Sequence, residues 1–228
     1  MTVLRLTGGA LALLWGMIFV PYDGDADKSV SSRNLPHWQQ GGCTYFITFR
    51  LGDSIPQSKQ AQWKAERDLW LHANGLTSSQ DVGGLSREIQ RLFHREFTQR
   101  IQKWLDTGFG ACLLREPGNA GIVAGALKHF DGERYLLGCF VVMPNHVHVL
   151  VQPKPGYKLS GLMHSWKSFA AHQINKRMLR TGSLWQEESF DHVVRSIEQY
   201  EHFQRYIRAN PSKAGLREDE FISGQGQL

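Results

Sequence analysis

The sequence VVMPNHVHVLV, residues 141–151, decides how the chain is expected to fold. Side chains alternate across a β-strand, so His146, His148 and Leu150 share one face of this strand. The valines between them point to the other face, which is wholly apolar and is expected to pack into a core. The two imidazoles are then about 6.5–7 Å apart along the strand, and their ring nitrogens can converge on one ion. We interpret the pair as a candidate metal site; a pair of surface histidines on a half-exposed strand is the alternative.

The sequence around this strand predicts an antiparallel sheet with helices. Pro144 and Asn145 are turn formers, so the histidine strand is expected to form a hairpin with the strand before it. That order of elements is typical of an α+β fold, and we expect the helices to lie on one side of the sheet. Strands are predicted over 43–50 and 134–143, an irregular segment or short edge strand over 184–194, and helices over 57–74, 86–105, 119–130, 159–179 and 196–210.

Composition predicts one domain with two tails. The chain has 228 residues, of which 41% are hydrophobic, and this is enough to bury one sizeable core. Residues 1–34 combine an uncharged apolar stretch with an acidic, serine-rich linker, and are expected to lie outside the fold; a membrane anchor is the alternative. The domain is expected to span 35–218, followed by a C-terminal tail at 219–228.

The net charge of +5 is concentrated late in the chain, where residues 154–217 hold eleven Lys and Arg against five acidic residues. A basic surface beside a candidate metal site favours a polyanionic substrate, most commonly nucleic acid, although charge alone also fits a solvated helix face. Cys43, Cys112 and Cys139 form no C-x-x-C pair, so neither a zinc ribbon nor a disulfide framework is indicated. Reduced cysteines favour a cytoplasmic protein.

The predicted final helix carries a second candidate group. His202, Tyr206 and Asn210 are four residues apart and share one polar face, beside an apolar stripe of Phe203 and Ile207 that would dock the helix. A phenol next to a carboxamide that can bind metal suggests a nucleophile and a third metal ligand delivered together. A tyrosine that packs its ring and leaves its hydroxyl in water is the alternative. Pro211 follows Asn210, and because proline cannot continue a helix, this helix is expected to end at Asn210.

These motifs together resemble the REP-associated branch of the single-tyrosine transposases. Residues 143–151 are similar to that family's histidine–hydrophobic–histidine motif. The later blocks occur in the expected order, and the resemblance covers about residues 33–217. Those later blocks are Leu184-Trp185-Gln186, Phe190-Asp191-His192 and residues 206–216.

The resemblance implies a ferredoxin-like sheet and an enzyme that cleaves and joins single-stranded DNA at hairpins through a 5′-phosphotyrosine intermediate. It makes His146 and His148 metal ligands, Asn210 a third ligand and Tyr206 the nucleophile. Two imidazoles and an amide form a weak site, which suits exchangeable Mg²⁺ or Mn²⁺. The expected partner is hairpin-bearing single-stranded DNA, and the protein is expected to be a monomer or a homodimer.

Basic side chains of the late helices are expected to hold the DNA phosphates. For Trp166 and Trp185, stacking on an unpaired base is weighed against packing in the core. The helical region 57–105 is longer than compact relatives need and is expected to shape hairpin recognition. The predicted DNA-binding residues are Lys167, Lys176, Arg177, Arg205, Arg208 and Lys213.

Three other functions stay open at this point. The first is a regulator that binds hairpin DNA without cleaving it. The second is a zinc-dependent hydrolase, which would leave the late tyrosine helix without a role and lacks a carboxylate at the histidine motif. The third is a membrane-attached protein, which depends on residues 1–34.

Overall fold

The computed structural model describes residues 29–32, 36–39, 42–77 and 81–228. Within these ranges, the chain forms strands and helices joined by short 3₁₀ and π segments. The strands are β1 (Ser29–Ser32), β2 (Pro36–Gln39), β3 (Tyr45–Arg50), β4 (Tyr135–Val142), β5 (His146–Pro153), β6 (Phe190–Val193) and β7 (Ile222–Gln225). The helices are α1 (Gln57–Ala73), α2 (Arg87–Phe93), α3 (Gln99–Asp106), α4 (Pro117–Lys128), α5 (Leu159–Arg177) and α6 (Ile197–Lys213).

Five strands form one antiparallel sheet in the order β6-β3-β5-β4-β7. The other four strands of this sheet, β3 to β6, follow the chain order strand, helices, strand, strand, helix, strand, which is the ferredoxin-like arrangement. The histidine strand β5 is central, with Thr48 of β3 opposite His148 and Arg50 opposite His146. The predicted hairpin between β4 and β5 is closed by the Met143 N–H, which donates to the carbonyl of His146 at 2.8 Å. The predicted α+β fold with a ferredoxin-like sheet is confirmed.

The two faces of the sheet are covered by different helices. The valines of β5 pack with the buried residues of α4 and α5 on one face. The opposite face holds Phe46 and Leu150, against which α6 packs through Ile207 and Phe203. The prediction that the helices lie on one side was therefore wrong. The second face also carries apolar side chains, among them Phe46 and Leu150, and α6 covers them.

Two predicted helices differ in detail from the observed ones. The helix predicted over 86–105 is interrupted by a π turn at His94–Thr98, between α2 and α3. The last helix does not end at Asn210, because α6 contains Pro211 and continues to Lys213. The proline removes one amide donor near the last turn. The following turn still forms, since the Ala214 N–H donates to the Asn210 carbonyl at 3.0 Å.

The chain ends differ from the expected tails where the structure describes them. Residues 222–225, expected in a C-terminal tail, form strand β7 at the edge of the sheet beside β4. Residues 29–32, expected in a linker, pair with residues 36–39 as a separate two-stranded sheet. The apolar segment at the start of the chain lies outside the described residues. In the part of the chain that is described, no helix is both long and apolar enough to cross a membrane.

Candidate active site

A fixed hydrogen-bond chain orients His146. The Nδ2 group of Asn145 donates to the carbonyls of Leu105, at 3.3 Å, and Phe109, at 3.1 Å. This leaves Oδ1 of Asn145 as the acceptor for Nδ1 of His146, 2.7 Å away. Because an amide oxygen can only accept, Nδ1 of His146 carries the proton and Nε2 presents a lone pair. Histidines that bind metals usually donate their other ring N–H to an acceptor in this way.

His148 is held in a similar way by the neighbouring strand. Its Nδ1 lies 2.7 Å from Oγ1 of Thr48, and its Nε2 lies 3.0 Å from Nε2 of His146. Both imidazoles are completely buried. Burial lowers the pKa of His146 to about 3, and burial together with His146 lowers the pKa of His148 well below its usual value. Both rings are therefore neutral, the form in which imidazole binds metal.

Asn210 brings an unsatisfied amide to the same place. Its side chain is fully buried, and neither Nδ2 nor Oδ1 has a hydrogen bond of normal geometry. Burial lowers the pKa of His146 and raises the pKa values of Asp106 and Tyr206, and the Asn210 amide partly offsets each of these shifts, so it faces all three groups. A buried amide without a partner costs about 1–3 kcal/mol, which a bound ligand could relieve.

These three side chains fit a hard divalent ion. Two cis ligands of an octahedral ion, each bonded at about 2.0–2.1 Å, are separated by about 3 Å. The Nε2 atoms of His146 and His148 have this separation. Among the described residues, no group of three His, Cys, Asp or Glu side chains could hold a metal, so a third protein ligand here would be of another kind, such as the amide of Asn210.

Tyr206 lies beside the histidine pair in the same chain. Its ring meets that of His148 edge to face, with centroids 5.2 Å apart. Its hydroxyl donates to Oε1 of Gln102 at 2.9 Å. Burial raises the pKa of Tyr206, Asp106 raises it further and Asn210 opposes the shift, so the phenol is neutral in this structure.

The docking of α6 sets the position of this tyrosine. Ser196 caps the helix by accepting a hydrogen bond from the Gln199 N–H at 3.2 Å. Ile207 is buried, and Phe203 stacks parallel on Phe46 with 4.3 Å between centroids. The apolar stripe predicted from the sequence therefore packs as expected and leaves the next face of the helix toward the histidines.

The six predicted DNA-binding residues do not form one patch. Lys167, Lys176 and Arg177 belong to α5, on the sheet face opposite the histidines. Of these, Arg177 pairs with Glu116 at 2.9 Å, and Lys167 donates to the carbonyls of residues 186 and 187.

The other three belong to α6, the helix that carries the tyrosine. Arg205 lies 3.5 Å from Glu201, and Arg208 is exposed. The Nζ atom of Lys213 lies 5.5 Å from the ring centroid of Tyr206. Of these three, Lys213 is the one that adjoins the candidate site. Binding of DNA by either group stays a prediction.

Both tryptophans considered for base stacking lie in the core. Trp166 is buried and donates to the hydroxyl of Tyr135 at 3.0 Å. Trp185 is buried against Phe49 and donates to the Lys167 carbonyl at 2.9 Å. Each indole N–H has a protein partner, so both tryptophans pack in the core instead of offering a ring to an unpaired base.

Sequence reasoning missed Thr48, Gln102 and Asp106, and took Asn145 only as a turn former. Thr48 and Gln102 reach the site through contacts across 100 and 104 residues. No spacing rule relates residues so far apart in sequence. The Gln102 and Asp106 pair does stand four residues apart at the end of a predicted helix, which places them on one face but does not say what that face meets.

The structure places a histidine pair on the central strand of the sheet and a tyrosine on the helix across it. Residues 128–210 match the family model described as IS200-like transposase, and this segment contains both histidines, the tyrosine and Asn210. The resemblance to the single-tyrosine transposases is thereby confirmed over these residues. No curated protein sequence matches the chain.

Two solved structures are similar to the chain at low identity. One is a REP-associated tyrosine transposase bound to a REP hairpin, with 15% identity and a TM-score of 0.45, covering 82% of this chain and 77% of that one. The other is a protein from Deinococcus radiodurans R1 described as a transposase, with 14% identity and a TM-score of 0.32, covering 84% and 98%. At these values, neither structure carries an argument about this chain.

Proposed function

We propose that this protein is a metal-dependent endonuclease and strand transferase that acts on single-stranded DNA at hairpins. The observation that carries the proposal is one buried cluster, in which a tyrosine adjoins two neutral imidazoles whose Nε2 atoms converge. This cluster lies inside the segment that matches the transposase family. The hairpin substrate and the REP-associated branch rest on the sequence motifs.

In the proposed reaction, the hydroxyl oxygen of Tyr206 attacks the scissile phosphorus in line. The new bond is a 5′-phosphotyrosine ester, and the bond to the 3′-oxygen breaks. The phenol loses one proton and the leaving 3′-oxygen gains one, so the step is balanced. One phosphodiester replaces another, and a 3′-hydroxyl from a second strand can reverse the step without ATP.

The residues around the tyrosine divide the work. His146, His148 and Asn210 would hold Mg²⁺ or Mn²⁺, which when bound supplies positive charge for the phosphate as the transition state develops. Asn145 and Thr48 keep the imidazoles in place. Gln102 accepts a hydrogen bond from the hydroxyl and fixes where the phenol oxygen points before DNA arrives.

The neutral phenol also favours a second candidate, a regulator that binds hairpins without turnover. Burial and Asp106 both disfavour the phenolate, and in this structure the hydroxyl is engaged with Gln102. The two functions share the DNA partner and differ only in whether the tyrosine becomes esterified.

A covalent-adduct assay separates them. The purified protein is incubated with labelled hairpin-bearing single strands and Mn²⁺, beside Tyr206→Phe and a control, Tyr200→Phe. Tyr200 is a buried tyrosine of the same helix that packs near Cys139, outside the histidine cluster. An adduct in the wild type and in Tyr200→Phe but not in Tyr206→Phe supports the nuclease. An adduct that survives in Tyr206→Phe contradicts it, and tight binding without any adduct favours the regulator.

A further inference from the structure

A large cavity lies between the helical region that contains α1 and α2 and the segment 186–195 that contains β6. Its volume is about 1080 Å³. Small-molecule pockets usually measure about 300–1,000 Å³, so this space admits a larger ligand. Most of its lining comes from residues that precede the segment matched by the transposase family.

The cavity reaches the candidate active site. Thr48, which bonds His148, lines it on the sheet side. Gln102, which accepts the hydrogen bond of Tyr206, lines it on the helical side. A chain that occupied the cavity would therefore come out beside the nucleophile and the histidine pair.

The charged residues in the lining are mainly basic. Five arginines and lysines face three acidic residues, namely Arg50, Lys64, Arg67, Arg87 and Arg195 against Glu187, Glu188 and Asp191. Arg50 is largely buried, donates to Ser54 and Gln60, and stays charged because burial lowers the pKa of its guanidinium only to about 10. The excess of positive charge in the lining favours an anionic ligand, such as a nucleic-acid strand whose phosphates contact individual basic side chains.

Aromatic and amide side chains complete the lining. Trp63, Phe93 and Phe97 form one cluster of rings at the wall of the cavity. Phe97 belongs to the π turn His94–Thr98, a type of irregularity that occurs often at functional sites. Phe93 and Phe97 are buried in this cluster, whereas Trp63 is half-buried with Arg67 over its ring. An accessible ring beside positive groups is the combination with which proteins hold unpaired nucleotides.

We propose that this cavity binds the unpaired nucleotides next to the scissile phosphate and leads the strand to Tyr206. The inference rests on the proposed function, because it names where the substrate strand of that reaction lies. It assigns to the helical region 57–105, which lies outside the family match, the task of holding the flanking single strand through α1, α2 and the π turn.

Charge reversal on the cavity wall tests this assignment. The double variant Lys64→Glu/Arg87→Glu reverses two exposed residues of the lining. Its control, Lys103→Glu/Arg95→Glu, makes the same change in net charge at exposed residues of the same helical region that do not line the cavity. Binding is measured with labelled single strands about ten nucleotides long, within the range of about 4–16 that single-strand grooves hold.

We expect the wall variant to lose at least about tenfold in affinity and its salt slope to fall by about 1.4, since each lost phosphate contact changes the slope by about 0.7. The control should stay close to wild type. Equal losses in both doubles would overturn the assignment. So would no loss in either of them.

Photocrosslinking locates the strand directly. Oligonucleotides that carry 4-thiothymidine beside the cleavage position are bound to the full-length Tyr206→Phe protein, and the complex is irradiated. Crosslinks to peptides that contain Trp63 or Phe97 support the cavity; crosslinks confined to α5 overturn it. Both measurements report binding, so they remain informative if no adduct forms. If adducts form equally in the wall variant, the nuclease stands and the cavity assignment fails.

Discussion

Asn145 and His146 are joined by a side-chain hydrogen bond of 2.7 Å, in which the amide oxygen accepts from Nδ1. The same amide donates to the carbonyls of Leu105 and Phe109, at the end of α3 and just beyond it. The orientation of one candidate metal ligand therefore depends on a helix that lies outside the family match. The hairpin turn between β4 and β5 has a chemical task as well as a topological one.

Replacing this residue should weaken metal binding. In Asn145→Ala, the Nδ1–H of His146 loses its acceptor. Loss of a group that hydrogen-bonds to a metal-binding histidine typically costs about 10–100-fold in metal affinity. Mn²⁺ titration followed by electron paramagnetic resonance measures the change. Asn119→Ala is the matched control, because Asn119 is also a buried asparagine that donates to a carbonyl, at 2.8 Å, but lies in α4. Equal metal affinity in the two variants would contradict the role given to Asn145.

A lysine next to the tyrosine should carry more of the DNA affinity than an arginine on α5. Lys213 lies beside the ring of Tyr206, whereas Arg177 is paired with Glu116 on the other face of the sheet. Lys213→Gln should therefore lower the salt slope of hairpin binding by about 1, and Arg177→Gln should change it less. Fluorescence anisotropy at several salt concentrations gives both slopes. A larger effect of Arg177→Gln would place the DNA on α5.

Stability should decline in mild acid through His192. Its pKa is lowered to about 4 by burial first, and by Arg195 and His94 next. In the unfolded chain the pKa of this imidazole is about 6.5. Between that pH and about 4, the imidazole is therefore protonated in the unfolded state and neutral in the folded state. The free energy of unfolding is therefore unaffected by His192 above about pH 6.5. It falls as the pH drops from there toward about 4, by at most about 3 kcal/mol in total.

His192→Gln removes this group and should flatten the fall in stability over that window. The two site histidines act in the same direction, so only part of the pH dependence should disappear. Urea denaturation at a series of pH values provides the curve, and His202→Gln, at an exposed histidine of α6, is the control. An unchanged slope in His192→Gln would show that this imidazole is not shielded.

Two glycines should respond to alanine with opposite signs. At Gly138, beside the register shift in β4, an added Cβ would lie 2.8 Å from Cβ of Leu150. Gly138→Ala should therefore cost about 1–3 kcal/mol, as overpacking does. At Gly121, in α4, an added Cβ meets nothing within 4 Å, and the better helix former should add about 0.5–1 kcal/mol. Urea midpoints decide; a stabilised Gly138→Ala would refute the close approach of these strands.

Local pattern accounts for what could be predicted. The alternation in β5 predicts both the buried valine face and the shared face of the histidines, because a strand has a strict period of two. The stripe of Phe203 and Ile207 likewise predicts how α6 docks. In each case the information lies within a few consecutive residues.

What could not be predicted depends on tertiary contact. Strand β7 is short and contains Gly224, so its sequence has the composition of a tail, and only the open edge of β4 makes it a strand. The meeting of Gln102 with Tyr206 joins two helices that are far apart in the chain. The side on which α6 lies follows from the apolar residues on the second face of the sheet, which require a cover.

The tyrosine and both imidazoles come from the same polypeptide chain. Under the proposed function, each folded copy with this arrangement would therefore carry a complete centre of its own. A mixture of a histidine-deficient protein and a tyrosine-deficient protein would contain no intact centre, and restored cleavage in such a mixture would mean that the helices had been exchanged between copies. Under the same proposal, a copy that lacks one of these residues would be inactive and would leave the activity of intact copies in the same cell unchanged.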